Sequence, residues 1–413
     1  MNDTTALSAN HLPGMVNLHS HAFQRAMAGL AERRGAGDDS FWTWRETMYA
    51  FASRLTPDDL LAIAAQLYVE MLKAGYTHVC EFHYLHHQPD GTPYANPAAM
   101  SEAIIAAAGE AGIGLTLLPV LYMTGGFDAR PLADRQRRFG HTVDAFLHLL
   151  QHLRARQEAR WRLGMAFHSL RAVQPDAIAA VLADDDVRNA PIHIHVAEQT
   201  AEVDACLAAR GTRPVQWLLD NAPVDAHWCL VHATHMTADE TTATARSGAV
   251  AGLCPTTEAS LGDGLFPLPD YMAAGGQFGI GSDSHISVSP VEELRWLEYG
   301  QRLALRKRAV AARRPGDSVG TTLWQAALQG GRQAAGLTDD NPATHMRLDT
   351  DSPLLAARTG AQLTDSFMFA GNTPLVRDVH VAGRDVVRDF HHADEERIAA
   401  RFRRTMQALA DTL

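Results

Sequence analysis

Cysteine is scarce in this 413-residue chain: Cys80, Cys206, Cys229 and Cys254, with no C-x-x-C pair among them. That excludes a disulfide framework and a cysteine-built zinc site, and it fits buried thiols in a reducing compartment. No apolar run approaches the ~18 residues that a membrane span needs. The N-terminus has no basic segment followed by an apolar one, so no secretory signal is expected and the cytoplasm is the default location. An excess of positive charge is missing too, since 36 Lys and Arg face 47 Asp and Glu for a net charge of −11. Such a chain would repel a polyanion, which argues against a general nucleic-acid binder. It does not exclude an anionic metabolite held in a local cationic pocket. Internal repeats and low-complexity tracts are absent as well.

What is present is the make-up of a soluble globular protein, 46% hydrophobic and 20% charged. The length suits one large domain with an appendage, or two domains. Of the 21 histidines, His86, His87, His391 and His392 read as exposed loop residues.

Short apolar runs alternate with longer helical stretches. The runs are Met15–Leu18, Thr77–Phe82, Gly114–Val120, Arg162–Phe167, Pro191–Val196, Trp228–Val231, Ala249–Leu253 and Gln277–Ile280, each of a length expected for strands buried on both faces. Between them lie helical patterns at Pro57–Ala74, Asn96–Ala111, Thr142–Arg160, Pro175–Ala183, Ala201–Ala209 and Asp239–Ser247. Thr56-Pro57-Asp58-Asp59 is a helix start, and Gly75 and Gly112 are stops. Eight alternations predict an α/β fold, a (β/α)8 TIM-like barrel. A doubly wound open sheet is the runner-up, but no Gly-x-Gly-x-x-Gly turn follows the first strand. Beyond the eighth strand, Pro290–Arg308 and Thr322–Gly336 read as helices. Ser366–Phe369 and Val379–Val387 read as strands about a turn at Gly371-Asn372, and Asp394–Leu413 as a closing amphipathic helix. The expected division is a barrel over 13–345, a small β subdomain over 346–392 together with residues 1–12, and a C-terminal helix over 393–413.

Four islands of histidine and acid stand at the ends of these runs: His19-Ser20-His21, His195 with Glu198, His232, and Asp283 in Gly281-Ser282-Asp283. Catalytic groups of such barrels gather at the C-terminal strand ends. Strand side chains alternate, so His-x-His puts both imidazoles on one side. Three imidazoles and a carboxylate suit zinc or a similar divalent ion, which would activate water near neutral pH. Iron, manganese or nickel would also fit such a donor set. His193 shares a face with His195 and reads as a deeper packing residue. His235 and His285 lie near the rim.

These residues resemble the amidohydrolase superfamily of metal-dependent deaminases and hydrolases. Longer stretches are similar to its formiminoglutamate deiminase branch: Pro13 through Arg25, Glu81-Phe82-His83-Tyr84-Leu85-His86, His168-Ser169-Leu170-Arg171 and Cys254-Pro255-Thr256-Thr257-Glu258. The resemblance runs from about Pro13 to Asp389. It implies His19, His21, His195 and Asp283 as ligands of one metal, usually zinc, per subunit. Glu198 and His232 become the proton-handling pair, and Gln24, Tyr84, His168 and Arg171 hold the substrate. It also implies a homodimer, a small anionic substrate, and hydrolysis of a C=N carbon that releases ammonia.

The chemistry agrees with that assignment. Attack of water on such a carbon needs a base, for which Asp283 or His232 can serve, and an acid, for which Glu198 can serve; each contributes ~10²–10⁴-fold. Arg171 can grip a substrate carboxylate in a bidentate fork.

Two departures accompany the resemblance. Only Met1–Leu12 precede Pro13, so the small domain is expected to be reduced to its C-terminal strands. The link near Asn341–Thr350 lacks the usual strand that returns the chain to it. A ring deaminase on the same scaffold is the rival activity, and a non-catalytic binding protein is a third. The Pro-Cys-x-x-Cys signature of the zinc cytidine deaminases is absent.

Overall fold

The structure, a computed structural model, describes residues 10–32, 41–337 and 343–411. Residues 1–9 of the leading segment, the start of the Asn341–Thr350 link and the last two residues of the closing helix lie outside these.

Parallel strands β2 (Met15–Ser20), β3 (Tyr76–His83), β4 (Gly114–Leu121), β6 (Met165–Ser169), β7 (Ile192–Val196), β8 (Trp228–His232), β9 (Val250–Leu253) and β10 (Gln277–Ile280) close a ring. The first strand among the described residues, β1 (His11–Pro13), lies outside it, and β5 (Trp161–Leu163) runs along the start of β4. The expected run Arg162–Phe167 is thus split at Gly164. A Cβ there would lie 2.7 Å from both Leu118 Cδ2 and Pro191 O, so the position has no room for a side chain. The remaining runs appear as strands within a residue or two of their expected limits. Their near-complete burial accounts for the unbroken apolar sequence, because helices cover the outside of a parallel barrel.

The helix α1 (Phe41–Ala52) precedes α2 (Pro57–Ala74), which begins at the expected Thr56 cap, where Thr56 and Asp59 form a reciprocal capping box. The helix expected over Thr142–Arg160 stops at Arg154.

The appendage differs from expectation. Among the described residues its antiparallel sheet has five strands in the order β1, β11 (His345–Leu348), β12 (Val376–Val381), β13 (Arg384–Arg388), β14 (His391–His392). An N-terminal strand therefore does contribute, and the link does carry a returning strand. β11 also spans the 345/346 junction. It alternates half-buried and buried residues over only four positions, a weak signal in sequence. The run Val379–Val387 is two strands joined at Ala382-Gly383. Ser366–Phe369 is no strand but the end of a helix, Ala361–Phe369. Leu363, Thr364, Phe367 and Met368 are buried at helical spacing, and Asp365 Oδ1 accepts from Gly320 N at 2.7 Å, tying this helix to its neighbour. A short apolar run does not distinguish the two states.

His86, His87 and His392 are buried, contrary to the loop reading, while His391 is exposed. Each buried ring finds a backbone carbonyl: Val120 O for His86 at 3.0 Å, Gly140 O for His87 at 2.6 Å and Ala111 O for His392 at 2.8 Å. A satisfied imidazole is easily buried. Among the described residues, no helix is long and apolar enough to cross a membrane.

Candidate active site

The four islands converge at the C-terminal mouth of the barrel. His19 Nε2 lies 3.1 Å from His21 Nε2 and 3.0 Å from His195 Nε2. Nδ1 of His21 faces Phe82 O at 2.9 Å, and Nδ1 of His195 faces His168 O at 3.0 Å. Carbonyls only accept, so these rings carry their protons on Nδ1 and present bare lone pairs at Nε2. A single proton on His19 could satisfy only one of them. A shared cation satisfies all three, and two ligands at about 2.1 Å from one ion span such separations. Asp283 Oδ1 adds a charged oxygen 3.3 Å from His21 Nε2 and 3.6 Å from His19 Nε2. Burial, reinforced by neighbouring imidazoles, pushes His19 and His195 well down, and burial lowers His21 despite Asp283. Neutral imidazoles are what a divalent metal needs. Cys254 also lies within ligand range of His232 and Asp283, but burial pushes its thiol well up and keeps it protonated.

Backbone geometry aims these groups. His232 and Asp283 have φ of 66° and 45°, a left-handed conformation that costs on the order of 1–3 kcal/mol in a residue with a side chain. Asp283 N donates to His19 O at 3.0 Å and His21 N to Asp283 O at 3.2 Å, so the ends of β10 and β2 are laced together. Glu81 braces the His-x-His segment by accepting from Ser20 Oγ and Ala22 N, both at 2.6 Å.

Beside the imidazole cluster, His232 Nε2 lies 3.7 Å from Asp283 Oδ2 and 3.8 Å from Glu198 Oε1. Its Nδ1 lies 3.2 Å from Glu258 Oε1. Burial alone would lower His232, but Glu198, Glu258 and Asp283 outweigh it and raise it to about 10. Glu198 is pushed up by burial and by the nearby carboxylates, a state suited to delivering a proton.

The cavity above holds about 60 Å³, and Gln24, Tyr84, His168 and Arg171 are among its lining residues. Gln24 Nε2 donates to Tyr84 Oη at 2.9 Å, and its Oε1 is buried with no partner. Larger clefts of about 1070 and 1370 Å³ lie at the opposite barrel end and beside the small sheet, away from the imidazole cluster. His193 sits deeper, bonded to Ala334 O at 2.9 Å, and His285 is held by Ser282 Oγ at 2.9 Å. Neither joins the imidazole cluster, and His235 stays outside the cavity lining.

Sequence reasoning passed over several residues here. Glu258 has no role implied by its place in Cys254-Pro255-Thr256-Thr257-Glu258, yet it is the partner of His232. Glu202 accepts from Ala197 N and Glu198 N, both at 3.1 Å, and fixes the turn that carries Glu198. Asp263, bonded to Gln199, is raised by burial and by Glu198. Arg45, on α1, brings a second cation to the cavity. The only sequence signal was its place in a helix rich in aromatics, Trp44-Arg45 with Tyr49.

Comparison with known proteins follows the same lines. The model of the amidohydrolase family matches residues 11–325. The chain is 57% identical over 408 residues to the formimidoylglutamate deiminase of Pseudomonas aeruginosa, covering 97% of this chain and 89% of that one. It is 48% identical to a crystal structure of an amidohydrolase from Brucella melitensis, with a TM-score of 0.93 over 97% of this chain and 90% of that one. An adenosine deaminase from Xanthomonas campestris with bound zinc superposes with a TM-score of 0.80 at 20% identity, covering 98% and 86% of the two chains. That last likeness bears on the fold alone.

Proposed function

This chain belongs to the amidohydrolase family, and from that membership we propose that it hydrolyses N-formimino-L-glutamate to N-formyl-L-glutamate and ammonia, a step in histidine degradation. The observation that carries the reading is a cavity with side chains able to hold a metal beside it and two arginines, Arg45 and Arg171, in its lining. Two cations suit a substrate with two carboxylates.

His19, His21, His195 and Asp283 would hold one divalent ion, zinc by donor set, which supplies the Lewis acidity that ionises water near neutral pH. The chain's own groups do the rest. Gln24 Oε1 is placed to accept from the formimino N–H. Glu258 keeps a proton on His232 Nδ1, and the surrounding carboxylates favour a second on Nε2, so His232 acts as a donor to the developing oxygen charge. Asp283 is left as the acceptor of the water proton. As the water oxygen bonds to the formimino carbon, Glu198 gives a proton to the imino nitrogen. Asp283 then passes the proton it took from water to that same nitrogen and takes up the proton of the new hydroxyl as the C–N bond breaks. Ammonia leaves, the formyl C=O forms, and return of the proton from Asp283 to Glu198 restores both carboxyls.

A cytoplasmic location, supported by four buried free cysteines, completes the reading, together with a homodimer. An exposed stripe of Trp296, Tyr299 and Leu303 on one helix supports the latter. The test is ammonia release by metal-loaded protein from N-formimino-L-glutamate, N-formimino-L-aspartate and guanine. Release is expected from the first. Ammonia from guanine with none from formiminoglutamate would sink the assignment.

A further inference from the structure

One amide sets the direction of the hydrogen bonds at the arginine-bearing wall of the cavity. Gln136 lies in the turn Asp134–Phe139, buried against Tyr49 and Tyr122. Its Oε1 accepts from Ala133 N at 3.0 Å, which determines which way round the amide lies. Nε2 is therefore turned toward the phenols, donating to Tyr49 Oη at 3.1 Å and to Tyr122 Oη at 3.0 Å. Arg45 Nη2 makes a further donation to Tyr122 Oη at 3.1 Å.

A phenol oxygen has one hydrogen to give and room to accept two. At Tyr122 both acceptor positions face groups that can only donate, so its own hydrogen must point elsewhere. Tyr49 likewise receives a hydrogen from Gln136. Among the described residues, no acceptor takes either phenol hydrogen. Both rings are buried, and a buried donor left unmatched is costly. Both line the cavity together with Arg45 and Arg171. Two O–H donors and two guanidinium groups thus face the same small space, an arrangement complementary to a carboxylate.

We propose that Gln136 is a specificity-determining positioning residue: it holds Tyr49 and Tyr122 as hydrogen-bond donors toward a substrate carboxylate bound beside Arg45 and Arg171. The assignment rests on the function proposed above and goes beyond it by naming what sets the polarity of the binding wall. Gln136 touches no substrate itself. It acts by closing the acceptor side of the phenols, so that a ligand offering donors there is refused and an anion is welcomed.

Steady-state turnover of N-formimino-L-glutamate by the zinc-loaded enzyme, with calorimetric binding of the product N-formyl-L-glutamate, tests this. In Q136E a carboxylate accepts from both phenols and reverses their direction. KM and the product Kd should each rise by about 10- to 100-fold, the scale of hydrogen bonds to a charged group, while kcat and zinc content stay within about twofold. The milder Q136L should raise KM severalfold in the native background. In the Y49F/Y122F protein it should add nothing, because the groups through which Gln136 acts are gone. A KM unmoved by Q136E, a loss confined to kcat or zinc content, or a Q136L effect that persists in Y49F/Y122F would overturn the assignment while leaving the function intact. A wild-type enzyme inert toward formiminoglutamate would overturn the function first, and this assignment with it.

Discussion

One added carbon at Gly281 would probe how closely the two strands that carry the proposed metal ligands are held. A Cβ built there lies 2.7 Å from both His19 Cβ and His19 O, and 2.8 Å from His19 N. Two of these neighbours are backbone atoms, so no side-chain rotation relieves the overlap. Restoring ordinary contact requires β2 and β10 to part by roughly 0.7 Å, an overpacking that destabilises by about 1–3 kcal/mol. The shift falls on the ligand set itself, since His19 lies on β2 and Asp283 follows β10, joined by the Asp283 N to His19 O bond. A displacement approaching 1 Å at a reacting centre costs about 10²-fold. Gly281→Ala should therefore lower kcat/KM by about 100-fold and weaken zinc at least tenfold in competition with a chromogenic chelator. Zinc affinity and turnover both within twofold of wild type would refute the reasoning.

Other outcomes follow from the same geometry. Asp283→Asn should abolish turnover, since it loses both a charged ligand and the proton acceptor, whereas Arg171→Ala should mainly raise KM; a near-normal KM in the arginine variant would remove Arg171 from the substrate carboxylate. Glu395 links the small sheet to α2 through Lys73 Nζ at 2.6 Å. Burial opposes ionisation of its carboxyl, but Lys73, His391 and the His392 N–H hold it down to about 2. Because its folded value is depressed, its contribution to stability is present above about pH 4.5 and is lost as pH falls toward 2. Melting temperature in Glu395→Gln should be less sensitive than wild type over that window, and parallel curves would argue against the link.

The barrel and the strand-end residues that it brings together were legible because each signal is local. Gly281-Ser282-Asp283 and His-x-His mark strand ends, and unbroken apolar runs mark strands buried on both faces. The partners of those groups were not legible, since they come from elsewhere in the chain. Glu258 reaches His232 from the helix after β9, and Arg45 reaches the cavity from α1. Nothing in a helical pattern says which polar residue points at a distant strand end. The small sheet was misread for a different reason. β1 and β11 are three and four residues long, too short for alternation to register, and their pairing joins segments more than 330 residues apart. The buried His86, His87 and His392 were misplaced because their carbonyl partners exist only in the folded chain.

The most direct test of the central claim is a zinc titration of chelator-treated protein, with ammonia from N-formimino-L-glutamate recorded at each addition. No turnover should occur without metal, and activity should rise to a break at one zinc per chain, with no recovery in His195→Ala. Ammonia release that survives metal removal, or a zinc response unchanged by His195→Ala, would contradict a metal-dependent deimination at this site.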